Sequence, residues 1–453
     1  MFTFMQSLFS KCKQPIPEPE YITDHGIDAS HISIHAIKVI NRLVDAGFSA
    51  YLVGGAVRDT LLGLQPKDFD VATDAHPEQV KALFNNSILI GRRFKLVHVR
   101  FGREIIEVAT FRASATSNKA DKHRIGRKGM LLRDNHYGKI HEDIWRRDFT
   151  VNALYYDLQR DCVLDYCGGY ADLAAKRIRV IGDPQVRYTE DPVRMIRALR
   201  YAAKLDFSLD NETAKHIHAE HAGFTEVSPD RVFIEMVKTF YGGFALQAYD
   251  KLDEHGFLSV LLPQVTAVLS GQAKGYRYGT DLIQAAFYNT DKRYHSRKPL
   301  STAYLFVVLL WPVVQHHLYK TGKAPGNFMD KLRQAITTTL SARNGPIALP
   351  KAITETCETI WSLQYQLVYR EQERIVDVVS NPKFRMAYDF LMLRAQAGEE
   401  VYMLANWWYD YTQADEEKQA DMVTAYTEKT QRMRAKHGRD NKRPRRPARK
   451  KSA

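Results

Sequence analysis

The sequence predicts an α+β fold: a head domain built on a mixed sheet, an all-helical neck and body after it, and a disordered basic tail. Three observations carry this. Strand-like and helix-like stretches alternate from about residue 34 to 160. After that point helical periodicity dominates, apart from a short "RIRVI" run. The segment Gln431 to Ala453 holds eleven Lys or Arg, one Asp, two prolines and almost no apolar side chains. Such a composition cannot bury enough apolar surface to offset the entropy of ordering.

Residues 1–33 read as irregular, with "QPIPEPE" as a linker. The head covers 34–160. "AIKVINRLVDAG" has helical spacing and stops at Gly47, and "SAYLV" is a strand. The glycine pair Gly54–Gly55 follows, then a helix through "VRDTLLG". "DFDVAT" is a second strand. "HPEQVKALF" is a helix with Pro77 in its first turn, where a missing N–H costs nothing. "FKLVHVRF" and "EIIEVATF" are separated by Gly102 and Arg103 and predict a hairpin. The basic stretch from Arg112 to His136 reads as a mobile loop, and "VNALYYDL" resumes regular structure. Residues 161–240 form a neck, 241–428 a helical body and 429–453 the tail. No internal repeat is evident.

The formal net charge is +13, and most of it sits in the tail. An arm of that kind suits contact with nucleic-acid phosphates, and a solubilising segment is the plainer alternative. The four cysteines are too few for a disulfide framework, which fits a reducing compartment. The longest apolar run, Ala303 to Val314, is too short to span a bilayer. These features suit a cytoplasmic protein with no transmembrane segment.

The chemistry concentrates in "GGAVRDTLLGLQPKDFDVAT", Gly54 to Thr73. On a strand Asp68 and Asp70 face the same side, about 7 Å apart at Cα. Two carboxylates so placed repel unless cations lie between them. A two-ion site meets that condition and suits in-line phosphoryl transfer, and magnesium shares oxygen ligands with substrate phosphates. A solvated strand end is the plainer alternative. Gly54 and Gly55 let the backbone approach a polyphosphate, and Arg58 adds positive charge. Glu107 is a candidate third carboxylate. Asp148 stands among arginines in "RRDFTVNAL". In "RYTEDPVRMIRALRYAAKL", Thr189 reads as a helix cap, with Glu190, Asp191 and Pro192 in the first turn. Asp191 and Arg194, three apart, share a face. They can present an acceptor and a donor to a base edge, or simply pair with each other.

"LVGGAVRDTLLG…KDFDVAT", "RRDFTVNALYY", "DYCGGYADL" and "EDPVRMIRALRYAAKL" occur in the order seen in class II bacterial nucleotidyltransferases. That family holds tRNA CCA-adding enzymes and bacterial poly(A) polymerases, and the resemblance is strong over residues 35 to 240. It implies a polymerase-β-like head in which Asp68 and Asp70 bind metal and activate an RNA 3′-hydroxyl. Asp148 would be the further active-site aspartate, and Arg147, Gly54, Gly55 and Arg58 would surround the nucleotide. Asp191 and Arg194 would read the base, and "DYCGGYADL" would be the hinge between head and neck. The implied cofactor is Mg²⁺, two ions, with Mn²⁺ as the alternative. The implied partners are ATP, single-stranded RNA 3′ ends and RNA-decay proteins.

Two features resemble the poly(A) branch: "ILIGRRFKLVHV" and the basic C-terminus, in which Arg443, Arg445, Arg446, Arg449, Lys450 and Lys451 would contact RNA. No His-Asp dipeptide supports an added phosphohydrolase domain. The expected activity is template-independent addition of AMP to RNA. CCA addition to tRNA is the alternative within the family, and a catalytically silent RNA-binding protein is the alternative outside it.

Overall fold

The computed structural model describes residues 18–91, 95–113, 137–272, 275–322, 327–341 and 345–440, with backbone alone at positions 220, 222, 225 and 433–440. The chain forms two compact units. Unit 1 comprises Met1–Arg231 and Gln247–Phe257; unit 2 comprises Val232–Leu246 and Leu258–Ala453.

Unit 1 is built on an eight-stranded sheet with the order β1-β8-β7-β2-β3-β6-β5-β4. The strands are β1 (Glu20–Ile22), β2 (Ala50–Val53), β3 (Asp70–Thr73), β4 (Ser87–Ile90), β5 (Leu96–Phe101), β6 (Glu104–Thr110), β7 (Tyr155–Asp157) and β8 (Cys162–Asp165). Within it β3 and β6 run parallel and the other neighbours antiparallel, so the sheet is mixed as expected. A smaller sheet pairs β9 (Arg177–Ile178) with β10 (Ser208–Leu209).

The helix Ile34–Asp45 buries Ala36, Val39, Ile40 and Leu43, one stripe at helical spacing. It stops where Gly47 takes φ +86° and its N–H donates to the Val44 carbonyl. The β5–β6 hairpin turns at Gly102 and Arg103, with φ +63° at the glycine. Val53, Ala72, Phe111, Ile144, Tyr155 and Leu164 form the core around the central strands.

Two boundaries differ from expectation. The Glu20–Ile22 segment, read as irregular, is the edge strand β1, paired Glu20↔Asp165. Strand β8 lies past residue 160 yet completes the head sheet. Strand β1 depends on a pairing between residues far apart in sequence, which local periodicity does not encode, whereas β8 joins through a short hairpin with β7, Asp157↔Cys162, that crosses the expected boundary.

Unit 2 is helical. Its centre is the helix Thr302–Thr321, buried from Leu305 to Val314. The helices Pro263–Leu269, Gly279–His295, Phe328–Ser341 and Lys351–Gln366 pack against it. Trp361 Nε1 donates to the Val307 carbonyl at 3.1 Å and Trp408 Nε1 to the Leu367 carbonyl at 2.8 Å, so two buried indoles keep their polar atom satisfied. Arg394 holds Glu399 through two nitrogens at 2.7 and 3.1 Å and donates to Gln364 Oε1 at 3.0 Å. No helix among the described residues is long and apolar enough to cross a membrane.

The last helix, Glu416–Asp440, extends into the segment assigned to the tail. Residues 429–440 are rich in helix-compatible Lys, Arg, Gln and Met, and the first proline comes at Pro444. The tail cations Arg443, Arg445, Arg446, Arg449, Lys450 and Lys451 lie outside the described residues. So do most of the 112–136 loop and Arg92, Arg93 and Phe94 of the "ILIGRRFKLVHV" stretch.

Candidate active site

Strand pairing brings the two ends of the Gly54–Thr73 stretch together. Val53 is the partner of Asp70 in the antiparallel β2–β3 ladder. Gly54 follows Val53 directly, so the glycine turn lies beside the aspartates. Gly54 has φ +70° and ψ −132°, a conformation that favours glycine. A Cβ there would sit 3.3 Å from Arg147 Nη1. The turn therefore passes close to a guanidinium, and a side chain would fill that space.

Asp70 opens β3, whereas Asp68 precedes the strand in a bend, so strand alternation does not set its direction as expected. Both are exposed to solvent. Surrounding protein nonetheless pushes the Asp70 carboxyl up to about 6: desolvation acts first, then the charges of Glu107 and Asp68, with Arg147 opposing. Glu107 is the β6 partner of Asp70 in the parallel ladder. It lies 3.5 Å from His98 Nε2 on β5. Among the described residues no group of three or more His, Cys, Asp or Glu gathers as a metal-ligand set, so Glu107 neighbours the pair without completing a triad.

Arg147 is tied down from several sides. Its Nε donates to Tyr155 Oη at 2.8 Å, its Nη2 to Asp143 Oδ2 at 3.1 Å and its Nη1 to the Asn152 carbonyl at 3.4 Å. The guanidinium carbon stands 4.8 Å from the centre of the Tyr155 ring. Burial alone would lower the Arg147 pKa, but Tyr155 and Asp143 outweigh it and raise it above the usual value. The cation is therefore permanent and fixed in place.

Asp148 points into a different network. Its Oδ2 accepts from Arg197 Nε at 2.8 Å and Nη2 at 2.6 Å, and its Oδ1 accepts from the Phe149 N–H at 2.9 Å and Asn152 Nδ2 at 3.2 Å. Burial works against the charge, yet the Arg197 guanidinium and these hydrogen bonds hold the carboxyl down at about 2. Asn152 in turn accepts from Arg58 Nη1. Arg58 is 2% exposed and donates to Asp59 Oδ1 at 2.8 Å through Nε. This corrects the expectation that Arg58 reaches phosphates: its side chain is committed to Asp59 and Asn152 and stacks 5.2 Å from the Tyr201 ring centre. Lys204 Nζ closes the chain on Asp59 at 3.1 Å.

The base-reading segment also departs from expectation. The helix Pro184–Glu190 ends at Asp191, and the next helix, Val193–Leu205, begins after Pro192. Asp191 takes φ −149° and ψ 91°, because a residue before proline is pushed out of the helical region. Thr189 and Glu190 thus belong to the end of one helix, not the start of the next. Asp191 pairs with Arg231 at 3.0 Å. Arg194 is buried; its Nη1 donates to the Arg187 carbonyl at 2.7 Å and lies 3.3 Å from Glu190 Oε2. The Arg194 backbone N–H donates to the Asp191 carbonyl at 3.0 Å, but their side chains pair elsewhere. The expected stripe Val193, Ile196, Leu199 and Ala203 is buried.

Arginines crowd this region. Burial and then the neighbouring Arg112 and Arg187 lower Arg146 to about 10, and burial and then Arg194 lower Arg187 to about 10. Cations that depress one another create a field suited to a polyanion. Sequence reasoning missed Asp143, Asn152, Tyr155, Arg197 and Tyr201. One signal was available for Arg197: with Arg200 and Lys204 it forms a polar stripe at helical spacing opposite the apolar one.

"DYCGGYADL" is a tightly tied segment. Asp165 accepts from the N–H groups of Cys167, Gly168 and Tyr170 at 3.0, 2.9 and 2.8 Å. Asp172 is fully buried and accepts from Thr150 Oγ1 at 2.7 Å, Arg177 Nε at 2.9 Å and Arg179 Nε at 2.7 Å. Gly169 packs so closely that a Cβ would lie 2.2 Å from the Thr150 carbonyl oxygen.

Residues 50–179 match the poly A polymerase head domain, 206–269 the probable RNA and SrmB-binding site of polymerase A, and 326–450 the polymerase A arginine-rich C-terminus. The chain is 40% identical over 411 residues to poly(A) polymerase I of Escherichia coli O6:H1, covering 89% of this chain and 88% of that protein. The CCA-adding enzyme of Lactobacillus helveticus is 39% identical over 218 residues, 48% of this chain and 52% of that one. A solved tRNA-processing enzyme in its apo form shares the fold, with a TM-score of 0.56 at 22% identity over 85% of this chain and 99% of that chain. The chain belongs to the bacterial poly(A) polymerase family of RNA nucleotidyltransferases.

Proposed function

We propose that the chain transfers AMP from ATP to the 3′-hydroxyl of single-stranded RNA through a site centred on Asp68 and Asp70. The Val53–Asp70 pairing carries this reading, since it sets the Gly54–Gly55 turn beside the two carboxylates with Arg147 against the turn. Enzymes of this family use divalent metal ions. The residues present fit such an ion: desolvation first, and then the charges of Glu107 and Asp68, make Asp70 resist its own ionisation, and a cation offsets both. Asp68 and Asp70 would hold it, and Mg²⁺, two ions, suits their oxygen donors. When bound, the metal supplies charge neutralisation for the triphosphate and a lowered pKa for the attacking hydroxyl.

The chain's own residues do the rest. The backbone at Gly54 and Gly55 admits the triphosphate, and Arg147 faces its negative charge. Asp148 orients Arg197 and Asn152, and through Asn152 fixes Arg58. Arg58 is therefore a positioning residue. The 3′-oxygen attacks the α-phosphorus, its proton leaves, and the bond to pyrophosphate breaks. Base choice falls to the Asp191–Arg194 segment, with Arg231 and Glu190 yielding their partners to the nucleotide. The basic tail adds phosphate contacts for RNA, and RNA-decay proteins are the partners this activity calls for, in the cytoplasm.

The test is AMP incorporation into a generic RNA by Asp68→Ala and Asp70→Ala, with circular dichroism alongside. Loss of incorporation in both variants with unchanged dichroism is expected. Incorporation at the level of the unsubstituted protein in either variant contradicts the assignment.

A further inference from the structure

Unit 2 carries a half-open cavity of about 760 Å³ among the helices Gly279–His295, Thr302–Thr321 and Phe384–Gln396. Small-molecule sites commonly span about 300–1,000 Å³. The cavity shares no residue with the carboxylate site. Its floor is apolar, with Leu300, Met386, Met392 and Leu393. Its rim carries Lys292, Arg293, Lys298 and Arg385 against one carboxylate, Asp389. Arg385 Nε lies 3.1 Å from Asp389 Oδ1, so the rim keeps an excess of positive charge.

The wall between the helices is fixed in advance. Arg293 Nη2 donates to the Pro299 carbonyl at 3.0 Å, the Lys298 N–H donates to the Arg293 carbonyl at 2.9 Å, and Tyr241 Oη donates to the Ser301 carbonyl at 2.5 Å. At one edge Asn289 Nδ2 donates to Gln396 Oε1 at 3.1 Å. That bond uses neither the acceptor Oδ1 of Asn289 nor the donor Nε2 of Gln396. An Asn or Gln amide offers the acceptor and donor that match adenine N6 and N7.

We propose that this cavity binds one nucleotide unit. The base lies on the methionine floor with its edge on Asn289 and Gln396, and the phosphate sits on the cationic rim. The unit comes from an RNA chain or from a free mononucleotide, and only that supply rests on the proposed function.

The test uses the full chain and two photoreactive probes: 8-azido-AMP and an oligo(A) with one internal 8-azidoadenosine. Labelled peptides are mapped by mass spectrometry. Labelling within 286–304 or 382–402 is expected, in addition to labelling in unit 1. Labelling there by the oligonucleotide alone assigns the site to RNA, and labelling by 8-azido-AMP assigns it to a free mononucleotide; either result supports the site. A Lys298→Glu, Arg385→Glu double variant and the cavity-filling Met392→Trp should each reduce cavity labelling at least tenfold. Both should leave unit 1 labelling and AMP incorporation at saturating RNA and ATP unchanged. No cavity labelling by either probe while unit 1 is labelled, or cavity labelling undiminished in both variants, overturns the proposal. Loss of labelling in unit 1 of the unsubstituted protein contradicts the proposed function instead.

Discussion

The pairing of Asp148 with Arg197 lends itself to a quantitative test. The Asp148 side chain is 12% exposed and that of Arg197 29%, so solvent screens the pair weakly. The carboxyl falls from its ordinary 3.8 to about 2. At 1.36 kcal/mol per unit this is worth about 2 kcal/mol at neutral pH. The folded pKa lies below the unfolded one, so the contribution is complete above pH 3.8 and fades as pH falls toward 2. Asp148→Asn keeps the shape and removes the charge. Hydrogen exchange at pH 7 in peptides from Val193–Leu205 reads the local stability directly. A loss of about 2 kcal/mol corresponds to about thirtyfold faster exchange. Arg197→Gln should accelerate the same peptides comparably, and the double variant should add little beyond either. Less than threefold acceleration in both single variants would refute the pairing, leaving Asp148 free to face the substrate.

Three further outcomes are expected. Asp70→Asn should abolish activity yet raise the stability of the metal-free protein above pH 6, because a raised folded pKa means that ionisation costs stability there. The full shift is about 3 kcal/mol, water access reduces it to about 1 kcal/mol, and thermal melts at pH 4 and 8 should show the gain only at pH 8. Gly169→Ala should lower the melting temperature of unit 1 far more than Gly63→Ala. The first places a Cβ 2.2 Å from a backbone oxygen, while the second, at φ +69°, meets open space and costs about 1 kcal/mol. Glu399→Ala leaves Arg394, whose side chain is only 12% exposed, without its carboxylate and should destabilise unit 2 by about 3 kcal/mol, read as a lower denaturation midpoint with Arg394→Met, Glu399→Leu losing less.

Much of the site was legible because it is local. The glycine turn and the apolar stripe Val193, Ile196, Leu199 and Ala203 are short-range patterns, and the structure keeps them; of the aspartate pair only Asp70 lies on the strand, with Asp68 in the bend before it. The missed features are long-range. Arg58 is buried because Asn152, far along the chain, accepts from it, and nothing near Arg58 in sequence signals that partner. The commitment of Asp191 to Arg231 is likewise a tertiary contact. Pro192 was the exception. Its restriction on the preceding residue was available locally, but the competing reading of proline as a first-turn residue hid the break between two helices. The strand β1 was hidden for a third reason, since three residues beside a proline-rich linker acquire strand geometry only by pairing with β8.

Nucleotide choice tests the central claim most directly. The purified full chain is incubated with Mg²⁺ and either ATP alone or CTP with ATP. One substrate is a generic single-stranded RNA, and the other a tRNA lacking its CCA end. The account predicts a lengthening A tail on the generic RNA with ATP alone, and no requirement for CTP on either substrate. Addition limited to two C residues and one A on the tRNA, with the generic RNA unextended, would contradict it.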